Sequence, residues 1–283
     1  MYESESSNTG EAMAFTLNPP VCEAQSVGAS TARRRVLVTG ASSGIGEAFA
    51  RHYASQGCDV VLVARNAEQL ERVALDVRRA GSAAEVVVAD LSSREGVEVV
   101  GARCGDVDVL VANAGVTHAA TIGTTDRDTL DEIAYLMSAG VVRLCEIIVP
   151  RMIARGGGDV VIVSSIAAFT PMRKAGPYAA AKSHATAYAE SLAMEVAEKG
   201  VRVLAVCPGY VRTELHGRAG LEHLARNVPG WMWLSADDVV KATTRGLQRR
   251  KTVVVPGAVY RIVLPFLTSS LAQSVWRRLT RRR

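Results

Sequence analysis

Short valine-rich runs recur along this chain, apolar at every position, and stretches with helical periodicity follow most of them. The runs are Val36–Thr39, Val60–Ala64, Val86–Ala89, Val107–Ala112, Val160–Ser164, Val201–Val206 and Thr252–Val255. A strand that is apolar on both faces must be covered on both faces, which is the situation of a parallel sheet between two helical layers. Helices are predicted over 44–56, 66–80, about 126–155 and 176–199. Alternation of this kind with short links predicts one α/β domain built on a doubly wound, parallel, seven-stranded sheet. The 283 residues, 48% of them hydrophobic and 22% charged, suit a single core of that size.

The flanks read differently. Residues 1–33 are polar and Ser-rich without periodicity, and are predicted to be a disordered leader. They carry Glu3, Glu5, Glu11 and Glu23 but no Lys or Arg through residue 32, the reverse of a secretory signal. The domain is expected over 34–258, with 259–283 as a basic amphipathic extension. Within that extension Leu267, Leu271, Val275 and Leu279 recur every four residues, with Trp276 beside them. Such a helix could dock on the core, complete a dimer, or rest on an anionic membrane; docking or dimerisation is the favoured reading. The most apolar run, Val253–Leu267, is interrupted by Pro256, Gly257, Arg261 and Pro265 and is too short to span a bilayer. A cytoplasmic location is expected, with peripheral membrane contact left open.

Net charge is +5, and five arginines lie in the last seven residues, so the rest of the chain is near neutral. That distribution argues against a nucleic-acid partner. The five cysteines are scattered and without a C-x-x-C pair, so buried free thiols are expected and no metal site is predicted.

Polar chemistry gathers where the strands end. The first run leads into Gly40-Ala41-Ser42-Ser43-Gly44-Ile45-Gly46, and a helix starts there. Glycines at such a turn let backbone amides and the positive helix end approach a pyrophosphate. After the second strand comes Ala64-Arg65, where dinucleotide folds often hold ribose with an acid. Arg65 suits the 2′-phosphate of NADP(H) by its fork geometry, or is simply a solvated arginine at a helix start. Asp90-Leu91 follows the third strand; the carboxylate could accept from an adenine amino group or cap the next turn. Asn113-Ala114-Gly115 makes a tight turn after the fourth, able to expose backbone to a cofactor.

Tyr178 and Lys182 are four apart in a helical stretch and so share one face. A nearby ammonium is expected to lower the phenol's pKa toward working pH, making it a proton donor to a carbonyl oxygen. Ser165, at the end of the fifth strand, could hydrogen-bond the same oxygen. Residues 210–234 include Leu215, Leu221, Leu224, Trp231, Met232 and Trp233. They form a candidate lid favouring a hydrophobic substrate, or only pack against the core.

Together these residues resemble the short-chain dehydrogenase/reductase family over about 34–258. The Thr-Gly-x-x-x-Gly-x-Gly turn at 39–46, Asn113-Ala114-Gly115, Ser165, and the Tyr-x-x-x-Lys of Tyr178 and Lys182 all match its motifs in kind and spacing. Cys207-Pro208-Gly209-Tyr210-Val211-Arg212-Thr213 resembles its nicotinamide-contacting Pro-Gly segment. The resemblance implies a Rossmann fold, NAD(P)(H) chemistry between a carbonyl and an alcohol, and a dimer or tetramer. Arg65 matches the basic residue that implies NADP(H). Pro208, Gly209, Val211 and Thr213 carry over as cofactor residues, as do Tyr178 and Lys182 beside their catalytic role. A 3-oxoacyl reductase of lipid metabolism and a weakly active NADP(H) sensor are the alternatives. One position departs from the pattern. Where the family has an asparagine that leads water toward the lysine, this chain has Met137, in Leu136-Met137-Ser138-Ala139-Gly140.

Overall fold

The computed structural model of the chain describes residues 33–117, 121–170, 174–213 and 228–269, together with Ser274. The seven runs form seven strands: β1 (Arg35–Thr39), β2 (Asp59–Ala64), β3 (Ala84–Val88), β4 (Val109–Ala112), β5 (Gly158–Val163), β6 (Val201–Val206) and β7 (Val253–Val254). They make one sheet in the order β3-β2-β1-β4-β5-β6-β7, with every adjacent pair parallel. The chain winds outward from β1 in one direction and then from β4 in the other. A crevice therefore opens beyond the carboxyl ends of β1 and β4, where the order reverses.

Period-two alternation sorts the strand side chains onto two faces. Leu37, Val61, Leu110, Val160 and Val203 point to one core, and Val36, Val60, Val109, Val161 and Leu204 to the other. The first core is covered by α3 (Arg94–Cys104), α5 (Ala139–Ala154) and α6 (Gly176–Glu195). The second lies under α1 (Gly44–Ser55), α2 (Ala67–Arg79) and a helix at Ala236–Gln248, here α7.

Three features depart from the sequence expectation. The helix predicted over about 126–155 is two helices, α4 (Arg127–Met137) and α5, separated by Ser138 at φ −131° and ψ −84°. By length and composition Arg127–Ala154 is apolar enough to cross a membrane. Here the stretch is broken, and Leu144, Cys145, Ile148 and Met152 are buried against the sheet. Next, α3 and α7 had no predicted counterpart. α3 contains Gly96, Gly101 and three valines, poor helix formers that hide its periodicity. Gly101 is needed there because a Cβ would come within 2.7 Å of the Ile147 side chain on α5. α7 starts with a capping box, in which Ser235 and Asp238 satisfy each other's backbone amides. Last, Cys104, Cys145 and Cys207 are buried free thiols as expected, but Cys58 is in a disulfide, a pairing that scattered spacing does not reveal.

The apolar run at 253–267 divides at Pro256-Gly257, where Gly257 takes φ +85°. Beyond it runs the last helix, α8 (Ala258–Thr268). The domain boundary expected at residue 258 falls inside the packed structure, since Tyr260 is buried in the first core. The leader, and Leu271, Val275, Trp276 and Leu279 of the extension, lie outside the described residues.

Candidate active site

Backbone conformation at the first turn excludes side chains. Gly40 has φ +63°, a region costly for any residue with a Cβ, and a Cβ there would lie 2.9 Å from the Ala114 Cα. At Gly46 a Cβ would meet the Gly40 carbonyl oxygen at 2.2 Å. Ser43 precedes α1 in an extended conformation and makes no side-chain cap bond, so its hydroxyl does not occupy the helix's first amides. The result is a bare backbone cradle at a helix N-terminus, suited to a phosphate.

A cleft of about 400 Å³ runs from this cradle across the switch point, lined by Gly40, Ser42, Ser43, Arg65, Asp90 and Gly115 among others. It touches the ends of β1, β2, β3 and β4, which is the span an extended dinucleotide needs. Ala64, Leu91 and Ala114 line it as well. Arg65 is two-thirds exposed, with its Nη1 3.9 Å from Asp90 Oδ2. The other Asp90 oxygen accepts from the Ser92 amide at 3.0 Å and the Ser92 hydroxyl at 2.8 Å. Asp90 thus caps its turn and also lines the cleft. The cradle and cleft fit a nicotinamide dinucleotide.

Other predicted cofactor residues serve this site indirectly. Asn113 turns its side chain away from the cleft: Nδ2 donates to the carbonyls of Thr39 (2.9 Å) and Gly40 (3.2 Å). The Asn113 and Ala114 amides both donate to Thr39 Oγ1 at 2.9 Å. Thr39 and Asn113 thereby lock the ends of β1 and β4 together beneath the crevice. Ile45 packs into the second core, and Val211 is buried there while bridging to Leu234. Thr213 does reach the turn, since a Cβ on Gly44 would meet its Cγ2 at 2.9 Å. Pro208 accepts from the Ile166 amide at 2.9 Å, tying the Pro-Gly segment to the turn after β5. Gly209 lies against the Tyr260 ring, 2.1 Å from where its Cβ would be. Tyr260 Oη accepts from the Tyr210 amide at 3.0 Å and donates to the Met232 carbonyl at 2.6 Å.

Ser165, Tyr178 and Lys182 come together at the carboxyl end of β5. Ser165 caps the short 3-10 turn Ile166–Phe169, accepting from the Ala167 amide at 3.2 Å, and is hydrogen-bonded to Tyr178. Lys182 is buried; its Nζ donates to the Val163 carbonyl at 2.9 Å and sits 5.9 Å from the centre of the Tyr178 ring. Gly115 joins this cluster to the cleft, since a Cβ there would be 3.5 Å from Lys182 Nζ. Ser164, which the sequence reading passed over, fixes the register of α6: its Oγ donates to the Lys182 carbonyl at 2.8 Å and lies 2.7 Å from Thr186 Oγ1. One expectation about charge fails. Burial pushes the Tyr178 pKa up, opposed by its bond to Ser165, instead of the lysine drawing it down. Burial also lowers the Lys182 pKa to about 8.

Met137 is buried in the same neighbourhood, packed with Ile133, Ala181 and Tyr178. Its Sδ would be 3.5 Å from a Cβ on Gly115, the same separation as Lys182 Nζ. Of the candidate lid, Leu215, Leu221 and Leu224 lie outside the described residues. Met232 packs on the first core, Trp233 lies 5.6 Å from the Tyr210 ring, and Trp231 is exposed. Met232 thus packs against the core, as the second reading of the segment expects.

The comparisons agree with this geometry. The model of the short chain dehydrogenase family matches residues 34–223. The chain is 37% identical over 188 residues to the Drosophila melanogaster dehydrogenase/reductase SDR family protein 7-like, covering 64% of this chain and 58% of that one. It is 34% identical over 182 residues to dehydrogenase/reductase SDR family member 4 of Bos taurus, covering 62% and 65%. The match thus spans less than two thirds of either relative. Among solved structures, a short-chain dehydrogenase from Sphingobium yanoikuyae in complex with NADPH is similar with TM-score 0.75 and 28% identity, over 88% of this chain and 96% of that one. With the family's model matched from the first strand to beyond the sixth, the chain belongs to the short-chain dehydrogenase/reductase family of oxidoreductases.

Proposed function

We propose that this chain is an NADP(H)-dependent oxidoreductase that interconverts a carbonyl and an alcohol on a hydrophobic substrate. The observation that carries the reading is the cluster of Ser165, Tyr178 and Lys182 beside Gly115 at the end of the dinucleotide cleft. The dinucleotide supplies or accepts the hydride. Tyr178 holds the proton for the substrate oxygen, and its raised pKa keeps it protonated at neutral pH, as an acid must be. After it gives that proton up, the Lys182 ammonium, charged below about pH 8, offsets the phenolate. The Ser165 hydroxyl steadies the charge developing on the substrate oxygen. Preference for NADP(H) over NAD(H) rests on Arg65 at the cleft rim, and the Sphingobium yanoikuyae relative is a complex with NADPH.

The test is oxidation of NADPH, beside NADH, across hydrophobic ketones, aldehydes and 3-oxoacyl thioesters, with Tyr178→Phe in parallel. We expect turnover with NADPH that falls by at least 100-fold in the variant, an order set by general acid catalysis of about 10²–10⁴-fold. Preference for thioesters would identify the 3-oxoacyl reductase form of the reading. The sensor reading draws on one observation, the apolar Met137 packed beside Tyr178 where the family has an asparagine. Tight NADPH binding with no turnover on any substrate class would favour it.

A further inference from the structure

Tyr260 of α8 stands just past the expected domain boundary, yet it is buried and its ring fills the space a Cβ on Gly209 would need. Its hydroxyl joins two segments of the chain that follows β6. It accepts from the Tyr210 amide at 3.0 Å and donates to the Met232 carbonyl at 2.6 Å. Burial raises the Tyr260 pKa, so the proton given to Met232 stays in place at neutral pH. A phenol has a single proton to donate, and here it is committed to backbone. α8 also packs on the 3-10 turn that follows Ser165.

What the hydroxyl holds lies between the reacting cluster and the phosphate cradle. At one end of residues 208–213 the Pro208 carbonyl accepts from the Ile166 amide, next to Ser165. At the other end Thr213 stands against Gly44 of the cradle. This segment therefore borders any molecule that reaches from the cradle to Ser165. The second segment is fastened to the first at Leu234. The Leu234 amide donates to the Tyr210 carbonyl, and its carbonyl accepts from the Arg212 amide, each at 2.9 Å. Between Met232 and Leu234, the Trp233 ring lies 5.6 Å from that of Tyr210. A single fastening leaves a pivot. Tyr260 adds another at Met232, and together they fix how one segment lies on the other.

Resting on the oxidoreductase reading above, we propose that Tyr260 is a positioning residue: through the Tyr210 amide and the Met232 carbonyl, its hydroxyl holds the segment that seats the nicotinamide end of NADP(H). Tyr260→Phe keeps the ring against Gly209 and removes only the hydroxyl. NADPH affinity should stay within about 3-fold of wild type, because the backbone cradle and Arg65 are untouched. The nicotinamide fluorescence of bound NADPH should fall, since a loosely held ring emits less. For a ketone substrate, kcat/KM per NADPH-binding site should drop by about 10- to 100-fold, as misplacement slows hydride transfer. A merely structural hydroxyl would lower the melting temperature and leave both emission per bound NADPH and kcat/KM per binding site at wild-type values; that result overturns the proposal. Loss of NADPH affinity as large as the loss of kcat/KM overturns it too, because the hydroxyl would then support the whole site. If the variant does not fold, Gly209→Ala replaces it with the same expectations, since its methyl would displace the Tyr260 ring. Emission requires no turnover. A wild type that binds NADPH and reduces nothing therefore sinks the oxidoreductase reading, while the emission comparison still decides the role of Tyr260.

Discussion

A buried ammonium costs folding energy, and Lys182 pays that cost within the site. Its pKa is lowered from 10.5 to about 8, with burial as the cause. Below pH 8 the folded and unfolded chains both carry the charge, so the penalty is fully present. It fades as pH rises from 8 toward 10.5, where the unfolded chain binds more protons than the folded one. A shift of this size is worth about 3 kcal/mol. Lys182→Met, similar in length and uncharged, should therefore raise stability at pH 7 by about 1–3 kcal/mol, with the gain shrinking above pH 8. The same substitution should abolish turnover. Urea unfolding of wild type and variant at pH 7 and pH 10 checks this, and a less stable variant at pH 7 would refute it. The position of Lys182 four residues after Tyr178 was legible because the pairing is local to one helix. Its burial was not, since that depends on β5 and the packing around Gly115 and Met137.

Among elements, the joint between α4 and α5 carries the main departure from the family pattern. The apolar pattern runs through Leu136, Met137, Gly140 and Val141 without a visible stop, so the sequence reads as one helix. The break at Ser138 comes from backbone torsion, which periodicity does not report. It leaves Met137 as the last residue of α4, packed with Ala181 and Tyr178 and with its thioether bordering Gly115. An amide at this position offers a polar partner, directly or through water, where sulfur is a weak acceptor. Met137→Asn should raise the turnover number several-fold if resupply of the proton is slow. Steady-state kinetics on a folded variant decides this, and an unchanged or lower rate would remove the relay explanation. The missed helix α3 teaches a related point: its two glycines weaken the local signal, yet Gly101 is what allows α3 to approach α5.

For the whole molecule, stability and chemistry occupy opposite ends of the sheet. At the entry to β5, Asp159 is fully buried between two arginines. Its Oδ1 accepts from Arg202 Nε at 2.6 Å; its Oδ2 accepts from Arg202 Nη2 and Arg34 Nη2, each at 3.0 Å. This clamp holds β1, β5 and β6 at the end away from the cleft. Asp159→Asn leaves two cations without their counter-charge, though both arginines are partly exposed. The expected loss is about 2–4 kcal/mol, below the full value for a buried pair because solvent screens the arginines. Turnover per folded molecule should be unchanged, since Ser165 and Lys182 stand at the other ends of the strands. Denaturation alongside kcat measured at low temperature separates the two effects; a matching fall in kcat would show that the ends are coupled.

Much of this protein is local, and the local part is in the sequence. Valine runs specify strands covered on both faces, the Gly40–Gly46 turn specifies a backbone cradle, and Tyr178 with Lys182 specifies a shared helix face. Each depends on neighbours within a few residues, where steric and periodic rules act directly. The tertiary structure alone decided the rest. Thr39 and Asn113 are 74 positions apart and lock the crevice only because β1 lies beside β4. Ser164 sets the register of α6 across β5, and Tyr260 supports the Pro-Gly segment from beyond the expected domain boundary. The pKa shifts at Tyr178 and Lys182 belong with these, because burial is a property of packing between distant segments, and no short stretch of sequence contains it.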